Sequence, residues 1–310
     1  MNKIWLIGLG KMSYEYAKVL SSLKLNFDTI ARSKNKISKK YHKNIYYNGL
    51  RDFLKKQNKP AEYAIIAVSV EELFNVSKIL IQFGVKNILL EKPGSLTIKN
   101  LNLLLSKSKN YKTSIYIAYN RRYYQSIEQI KSLYLKNNNI LSVDFNFTEI
   151  KNRFLNKFPD EVLDNWLIVN SSHVLDLVFY LIGIPKKINC FTYVPNYYKK
   201  KPSIFIGNGL SKKNIPFSYH SNWSSPGNWS ISIMTNEYRI VLNPIEEIKI
   251  QKIGKFKIED VNINKSIDKK FKPGLYNMVD DFIFKTKKSK LPTLKEHIIN
   301  FKYFKKIANG

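Results

Sequence analysis

An apolar run over residues 3–7 leads straight into Gly8-Leu9-Gly10, and from Met12 onward Tyr16, Val19, Leu20 and Leu23 recur at helical spacing. A strand that turns into a helix within three residues needs a backbone that bends tightly, which is what paired glycines supply. The same grammar then repeats. Strand-like runs occupy residues 27–31, 63–68, 87–90 and 114–118, with a shorter one near 44–47, and helical spacing fills 71–83 and 98–108. The run 63–68 is continuously apolar rather than alternating, so both of its faces are buried. Strands that alternate with helices of about a dozen residues predict a parallel, doubly wound sheet covered on both sides.

After Asn120 the pattern changes. A helix near 123–135 leads to a strand at 141–148, a longer helical stretch runs over 163–182, and residues 188–261 read mostly as strands between turns such as Pro226-Gly227 and Asn243-Pro244. Two helices around Leu291-Pro292 close the chain. At roughly 150 residues per domain, 310 residues predict two. The expected fold class is α/β. A nucleotide-binding Rossmann domain with a parallel sheet is expected over 1–120, and an α+β domain with a large, mostly antiparallel sheet over 121–310.

Composition excludes several classes. The net charge is +29, yet only six of the 52 basic residues are arginine, and the lysines are spread along the chain among Ile, Asn and Tyr. Nucleic-acid readers depend on arginine for bidentate contacts, so this charge reads as a solvated basic surface, and no nucleic-acid partner is expected. The longest apolar stretch, 174–184, is too short to span a bilayer and contains Asp176, so no membrane partner is expected either. The single cysteine, Cys190, closes no intrachain disulfide and builds no cysteine-rich metal site, which fits a cytoplasmic protein without a metal.

Four short segments carry chemistry. Gly8, Gly10, Lys11 and Met12 lie between strand and helix, where open N–H groups favour a pyrophosphate. Ser13 stands where a third glycine is common, and a small residue there still allows close helix packing. At the end of the second strand the tip is Ala31-Arg32-Ser33-Lys34, and a cationic, hydroxyl-bearing tip suits a ribose 2′-phosphate, which favours NADP over NAD. Glu91-Lys92-Pro93-Gly94 follows the strand 87–90, and Tyr119-Asn120-Arg121-Arg122 follows the strand 114–118. Within the long helix, His173 and Asp176 are three residues apart and therefore share a face. Each segment also has a bland explanation, as a structural turn, a solvated charge pair or a core histidine.

Together and in this order, from Gly8-Leu9-Gly10 through Glu91-Lys92-Pro93 and Asn120-Arg121-Arg122 to His173-Val174-Leu175-Asp176, they resemble the glucose-fructose oxidoreductase, inositol dehydrogenase and MocA family of NAD(P)-dependent oxidoreductases. The resemblance implies hydride transfer between a nicotinamide and a carbinol carbon of a sugar, sugar nucleotide or cyclitol. It implies Lys92 at the nicotinamide ribose and the substrate oxygen, His173 as acid and base, and a Lys92-Pro93 bond that is often cis in that family. Gly8, Gly10, Lys11, Met12, Arg32, Ser33, Ser69, Glu91 and Lys92 become the cofactor set, and Asn120, Arg121, Asn170 and Asp176 the substrate set. A carbohydrate substrate, a role in surface polysaccharide or sugar-nucleotide biosynthesis and a homodimer or homotetramer follow from the same likeness.

One departure stands out. Many family members carry an aspartate four residues before the histidine, and Val169 stands there, with Asn170 next to it. A catalytically idle nucleotide-binding sensor on the same fold is therefore the competing expectation. Trp166, Tyr219, His220, Trp223 and Trp229 are candidate faces for a sugar ring, although most aromatic residues of such a chain belong to its core.

Overall fold

The computed structural model describes residues 3–34, 38–135, 140–149, 157–195, 201–284 and 289–310. The chain divides into two compact units, Met1–Tyr123 with Ile267–Ile299, and Tyr124–Ser266 with Asn300–Gly310.

The first unit opens with β1 (Ile4–Ile7), α1 (Lys11–Ser22), β2 (Phe27–Ile30), β3 (Ile45–Tyr46), α2 (Gly49–Lys55), β4 (Tyr63–Ile66), α3 (Leu73–Phe83), β5 (Asn87–Leu90), α4 (Ile98–Asn110) and β6 (Ser114–Ile117). All six strands pair in parallel in the order β3-β2-β1-β4-β5-β6. That is the strand order of doubly wound dinucleotide folds, with the reversal between β1 and β4. Every residue of β1 and β4 is buried, so their unbroken apolar runs reflect cover on both faces. The short α2 has no counterpart in the sequence reading.

The second unit begins with α5 (Gln125–Leu133) and β7 (Ile140–Phe147), then α6 (Asp160–Asp164), a widened π-helical turn over Leu167–Ser171, and α7 (Ser172–Ile182). The strands β8 (Pro185–Tyr193), β9 (Ile204–Ser211), β10 (Pro216–Asn222), β11 (Trp229–Thr235), β12 (Tyr238–Leu242), β13 (Ile248–Lys252) and β14 (Glu259–Val261) follow. With β7 they form an eight-stranded sheet ordered β14-β13-β12-β11-β7-β10-β9-β8. Its pairings are antiparallel except β7 with β10. Strand alternation sets its inner face: Val143, Phe145, Phe147, Phe217, Tyr219, Ile231 and Ile233 are buried, whereas Asp144, Ser218 and His220 on intervening positions are exposed.

Two features differ from the sequence reading. The helical stretch 163–182 is not one helix, because α6 ends at Asp164 and the chain widens at Leu167–Ser171 before α7. Polar side chains compete for the backbone here: Asn165 donates to the Glu161 carbonyl, and Ser172 to that of Ile168. The first unit also takes in the segment Ile267–Ile299, whereas the linear reading ended that domain at 120 and gave 121–310 to the second. That segment contains α8 (Ser266–Lys270) in all but its first residue, α9 (Leu275–Phe284) and the start of α10 (Leu294–Asn309). Phe271, Leu275, Met278, Val279, Phe282 and Ile283 pack with Ile4, Leu6, Tyr16, Leu20, Tyr63 and Ile65 in one buried cluster. An amphipathic helix belongs where its apolar face is buried, whatever its distance along the chain. Among the described residues no helix is long and apolar enough to cross a membrane.

Candidate active site

In the first unit the sequence-selected residues gather at the carboxyl ends of the parallel strands. Gly8, Gly10, Lys11 and Met12 follow β1, Arg32 and Ser33 follow β2, Ser69 follows β4, Glu91 and Lys92 follow β5, and Asn120 and Arg121 follow β6. Ligands of doubly wound sheets sit outside these ends, beside the strand-order reversal. Gly8 has φ +116°, and a Cβ built on it would lie 2.3 Å from the Ala67 carbonyl oxygen, so the turn itself demands glycine. The Ser13 hydroxyl donates to the Gly8 carbonyl at 2.7 Å and tightens the turn. Gly10 is different. It caps α1 with φ −90° and ψ −176°, a conformation any residue adopts, and a Cβ there would meet nothing within 4 Å. The fold does not require a glycine at 10, yet its bare Cα keeps the space over the first N–H groups of α1 clear. These features fit a dinucleotide pyrophosphate, held by the turn and by the positive end of the α1 dipole.

The Glu91-Lys92-Pro93-Gly94 turn is built with care. Its Lys92-Pro93 peptide is cis. The Glu91 carboxylate accepts the hydroxyl of the fully buried Tyr16 at 2.7 Å, which ties the turn to α1. Burial pushes the Glu91 carboxyl above the ordinary carboxylate range, against the pull of the Tyr16 hydrogen bond and then of Lys92 and Lys272. From α10, His297 donates its Nε2 proton to the Pro93 carbonyl at 2.9 Å. Burial lowers the His297 pKa to about 4, so it serves as a neutral donor at pH 7. Lys92 itself is half-buried, its backbone thus fixed from two sides.

The other first-unit residues have structural partners. Asn120 is buried and donates to the Pro273 carbonyl at 2.8 Å. Arg122, also buried, donates to the Lys290 carbonyl at 2.9 Å, and Arg121 is half-buried. At the β2 tip Arg32 is 86% exposed and 3.7 Å from Glu72. A loose ion pair that exposed contributes little, so the guanidinium can be recruited by an anionic ligand.

In the second unit His173 lies in the first turn of α7, 7% exposed, with its ring 6.4 Å from that of Trp229 at the start of β11. Asp176, one turn later, is buried and accepts from Asn300 at 3.4 Å. Val169 is buried and brings no charge. The carboxylate near this turn comes from elsewhere: Glu149, just beyond β7, accepts the Asn170 amide and the Ser171 hydroxyl, the latter at 2.6 Å. Asn170 is one turn before His173, so Glu149 supplies negative charge to the same stretch of helix. Glu149→Gln is expected to lower the unfolding free energy by about 1–2 kcal/mol, because two charge-assisted hydrogen bonds lose their acceptor charge. An unchanged denaturant midpoint would make these contacts incidental.

The aromatic candidates separate. Tyr219 and Trp223 are core, with the Trp223 indole donating to the Phe147 carbonyl, and Trp166 is buried too. His220 is exposed on the outer face of the sheet opposite Ile206, and Trp229 stands beside His173. Sequence reasoning missed Glu149, Tyr16 and His297. Tyr16 reads as one more apolar helix position, and no motif surrounds the other two. Among the described residues no group of three His, Cys, Asp or Glu side chains could hold a metal ion.

No protein-family model matches the sequence, and no curated protein sequence matches it. Solved structures do match. UDP-N-acetylglucosamine 3-dehydrogenase from Acidithiobacillus ferrooxidans superposes with a TM-score of 0.77 at 14% identity, over 99% of this chain and 96% of that one. This chain shares the fold of that dehydrogenase. A dehydrogenase from Clostridium difficile matches with a TM-score of 0.77 at 18% identity, over 99% of both chains. An oxidoreductase from Agrobacterium radiobacter, solved with NAD+, L-tartaric acid and magnesium, gives 0.76 at 12% identity, over 98% of this chain and 94% of that one. At such identities the likeness is one of fold.

Proposed function

We propose that this protein is an NAD(P)-dependent oxidoreductase acting on a carbinol carbon of a sugar, sugar nucleotide or cyclitol. The observation that carries the reading is Gly10: a glycine that the protein's own packing does not need, above the open end of α1, at the reversal point of a parallel sheet. The Glu91-Lys92-Pro93 turn beside it and the fold shared with dehydrogenases support the same reading. A nucleotide sugar is a substrate of one neighbour of that fold, which favours this substrate class and, with it, a role in polysaccharide or sugar-nucleotide biosynthesis.

When bound, the nicotinamide gives or takes the hydride. The rest falls to the chain. The Lys92 ammonium holds the substrate oxygen and stabilises negative charge as it develops there, which a neutral side chain cannot do. His173 takes the hydroxyl proton in oxidation and returns it in reduction, a task suited to an imidazole near neutral pH. Trp229 buttresses the His173 ring, and Glu149 fixes the Asn170 and Ser171 side chains of the preceding turn. Asn120, Arg121, Asn170 and Asp176 are assigned to the substrate. For Asn120 and Asp176 the hydrogen bonds to Pro273 and Asn300 also support a positioning role.

Arg32, with Ser33 next to it, favours NADP. Titrating NADH and NADPH by nicotinamide fluorescence tests this: NADPH is expected to bind about tenfold tighter, and Arg32→Ala to remove the difference. Equal affinities in the unaltered protein would assign the cofactor to NAD, and no binding of either would remove the oxidoreductase reading. Val169 favours a second reading, an idle nucleotide-binding sensor. Saturable dinucleotide binding without turnover across sugars and sugar nucleotides in both redox states would favour it. The exposed row of Phe191, Ile206 and His220 across the outer sheet face, with Tyr193 beside it, supports a homodimer or homotetramer. Sedimentation of the purified protein tests this, and a monomer would refute it.

A further inference from the structure

Lys272 lies in the connection between α8 and α9, far from Gly8 in sequence but in the same compact unit. Its backbone is tied down on every side. Phe271 is buried in the core, the Lys270 carbonyl accepts from Lys18 of α1, the Pro273 carbonyl accepts from Asn120 after β6, and the Gly274 N–H donates to Asp268 at 2.8 Å. The side chain reaches the dinucleotide turn, where its ammonium is 3.0 Å from the Met12 sulfur. A thioether is a weak acceptor for a full positive charge. Among the described residues Lys272 has no ion-pair partner within 4.0 Å, and the nearby Glu91 carboxyl is already engaged by Tyr16. The structure therefore places a cation that makes no salt bridge among the described residues, although its charge acts on the buried Glu91 carboxyl, against the second residue of α1, where the helix presents its first N–H groups.

We propose that Lys272 is the cation that binds the dinucleotide pyrophosphate at the Gly8-Leu9-Gly10 turn. The proposal rests on reading that turn as the dinucleotide site and adds to it a residue that no nucleotide motif contains. Backbone N–H groups and a helix dipole offset only part of the pyrophosphate charge, and an ammonium is a strong, compact partner for the remainder. Lys272 is exposed, so substituting it leaves the core intact and its effect on binding is screened by salt.

The test is fluorescence titration of NADH and NADPH, with displacement by ADP-ribose, at ~50 and ~200 mM salt. The proteins are the unaltered chain, Lys272→Met, Lys272→Arg and, as a control for total charge, Lys109→Met on α4. Lys272→Met is expected to weaken NADH, NADPH and ADP-ribose alike by about tenfold at the lower salt, and by less at the higher. Lys272→Arg should bind within about threefold of the unaltered chain and Lys109→Met should match it. Unchanged affinity in Lys272→Met, or a loss confined to NADH and NADPH with ADP-ribose unaffected, would overturn the pyrophosphate contact while leaving the dinucleotide site standing. An unaltered chain that binds none of the three ligands would overturn both.

Discussion

His173→Ala is expected to lower turnover by about 10² to 10⁴ while dinucleotide affinity stays within about twofold. The split follows from the architecture. The residues proposed for the nucleotide all belong to the first unit, at the carboxyl ends of β1, β2, β4 and β5, whereas His173 belongs to α7 in the second. Removing the imidazole leaves the Gly8-Leu9-Gly10 turn untouched but takes away the group proposed to exchange the hydroxyl proton. Lys92→Ala should be equally damaging to turnover, because charge on the substrate oxygen would develop without a cation beside it. A core histidine behaves differently: its loss leaves a cavity, lowers stability, and spares the rate of whatever protein remains folded. Turnover per folded molecule, with the folded fraction read from thermal unfolding, separates the two. Undiminished turnover in His173→Ala would return the residue to the core. A fully active Lys92→Ala would undo the assignment of the Glu91-Lys92-Pro93 turn.

The parallel sheet was legible in the sequence because strands buried on both faces must be apolar, as Tyr63–Ile66 is throughout and as Ile88, Leu89 and Leu90 are after the half-buried Asn87, and because glycines punctuate the first turn. In the structure β7 and β10 alternate buried with exposed positions, as strands with one wet face do. What local pattern cannot encode is the address of an amphipathic helix. The apolar faces of α9 and of the segment before it read the same whether they cover a neighbouring sheet or one formed by the first residues of the chain. That is why Ile267–Ile299, and with it Lys272, escaped the linear reading. Glu149 escaped for a related reason: its partners Asn170 and Ser171 lie 21 and 22 residues away, a separation no local pattern reads. The break at Leu167–Ser171 was hidden because every side chain from Leu167 to Val169 is apolar and suits an unbroken helix.

The two glycines of the first turn should respond to the same substitution in opposite ways. Gly8→Ala forces a side chain onto a residue at φ +116° and drives its Cβ to within 2.3 Å of the Ala67 carbonyl oxygen, backbone that directly follows β4 and has little room to move. Strain and overpacking each cost about 1–3 kcal/mol, so the protein is expected to lose about 3 kcal/mol or more of stability and much of its soluble yield. Gly10→Ala meets neither obstacle. Its backbone is extended and the new methyl points into open space, so the unfolding midpoint should move by less than about 1 kcal/mol. Yet that open space is where, on the proposed reading, a pyrophosphate comes close to α1. Overpacking it with a methyl is expected to weaken NADH and NADPH on the order of tenfold to a hundredfold. A stable Gly10→Ala that binds dinucleotide normally would mean that nothing approaches the turn closely, and the cofactor site would have to be sought elsewhere on the sheet. A stable variant that has lost only dinucleotide binding would tie a glycine the fold can do without to the ligand rather than to the chain.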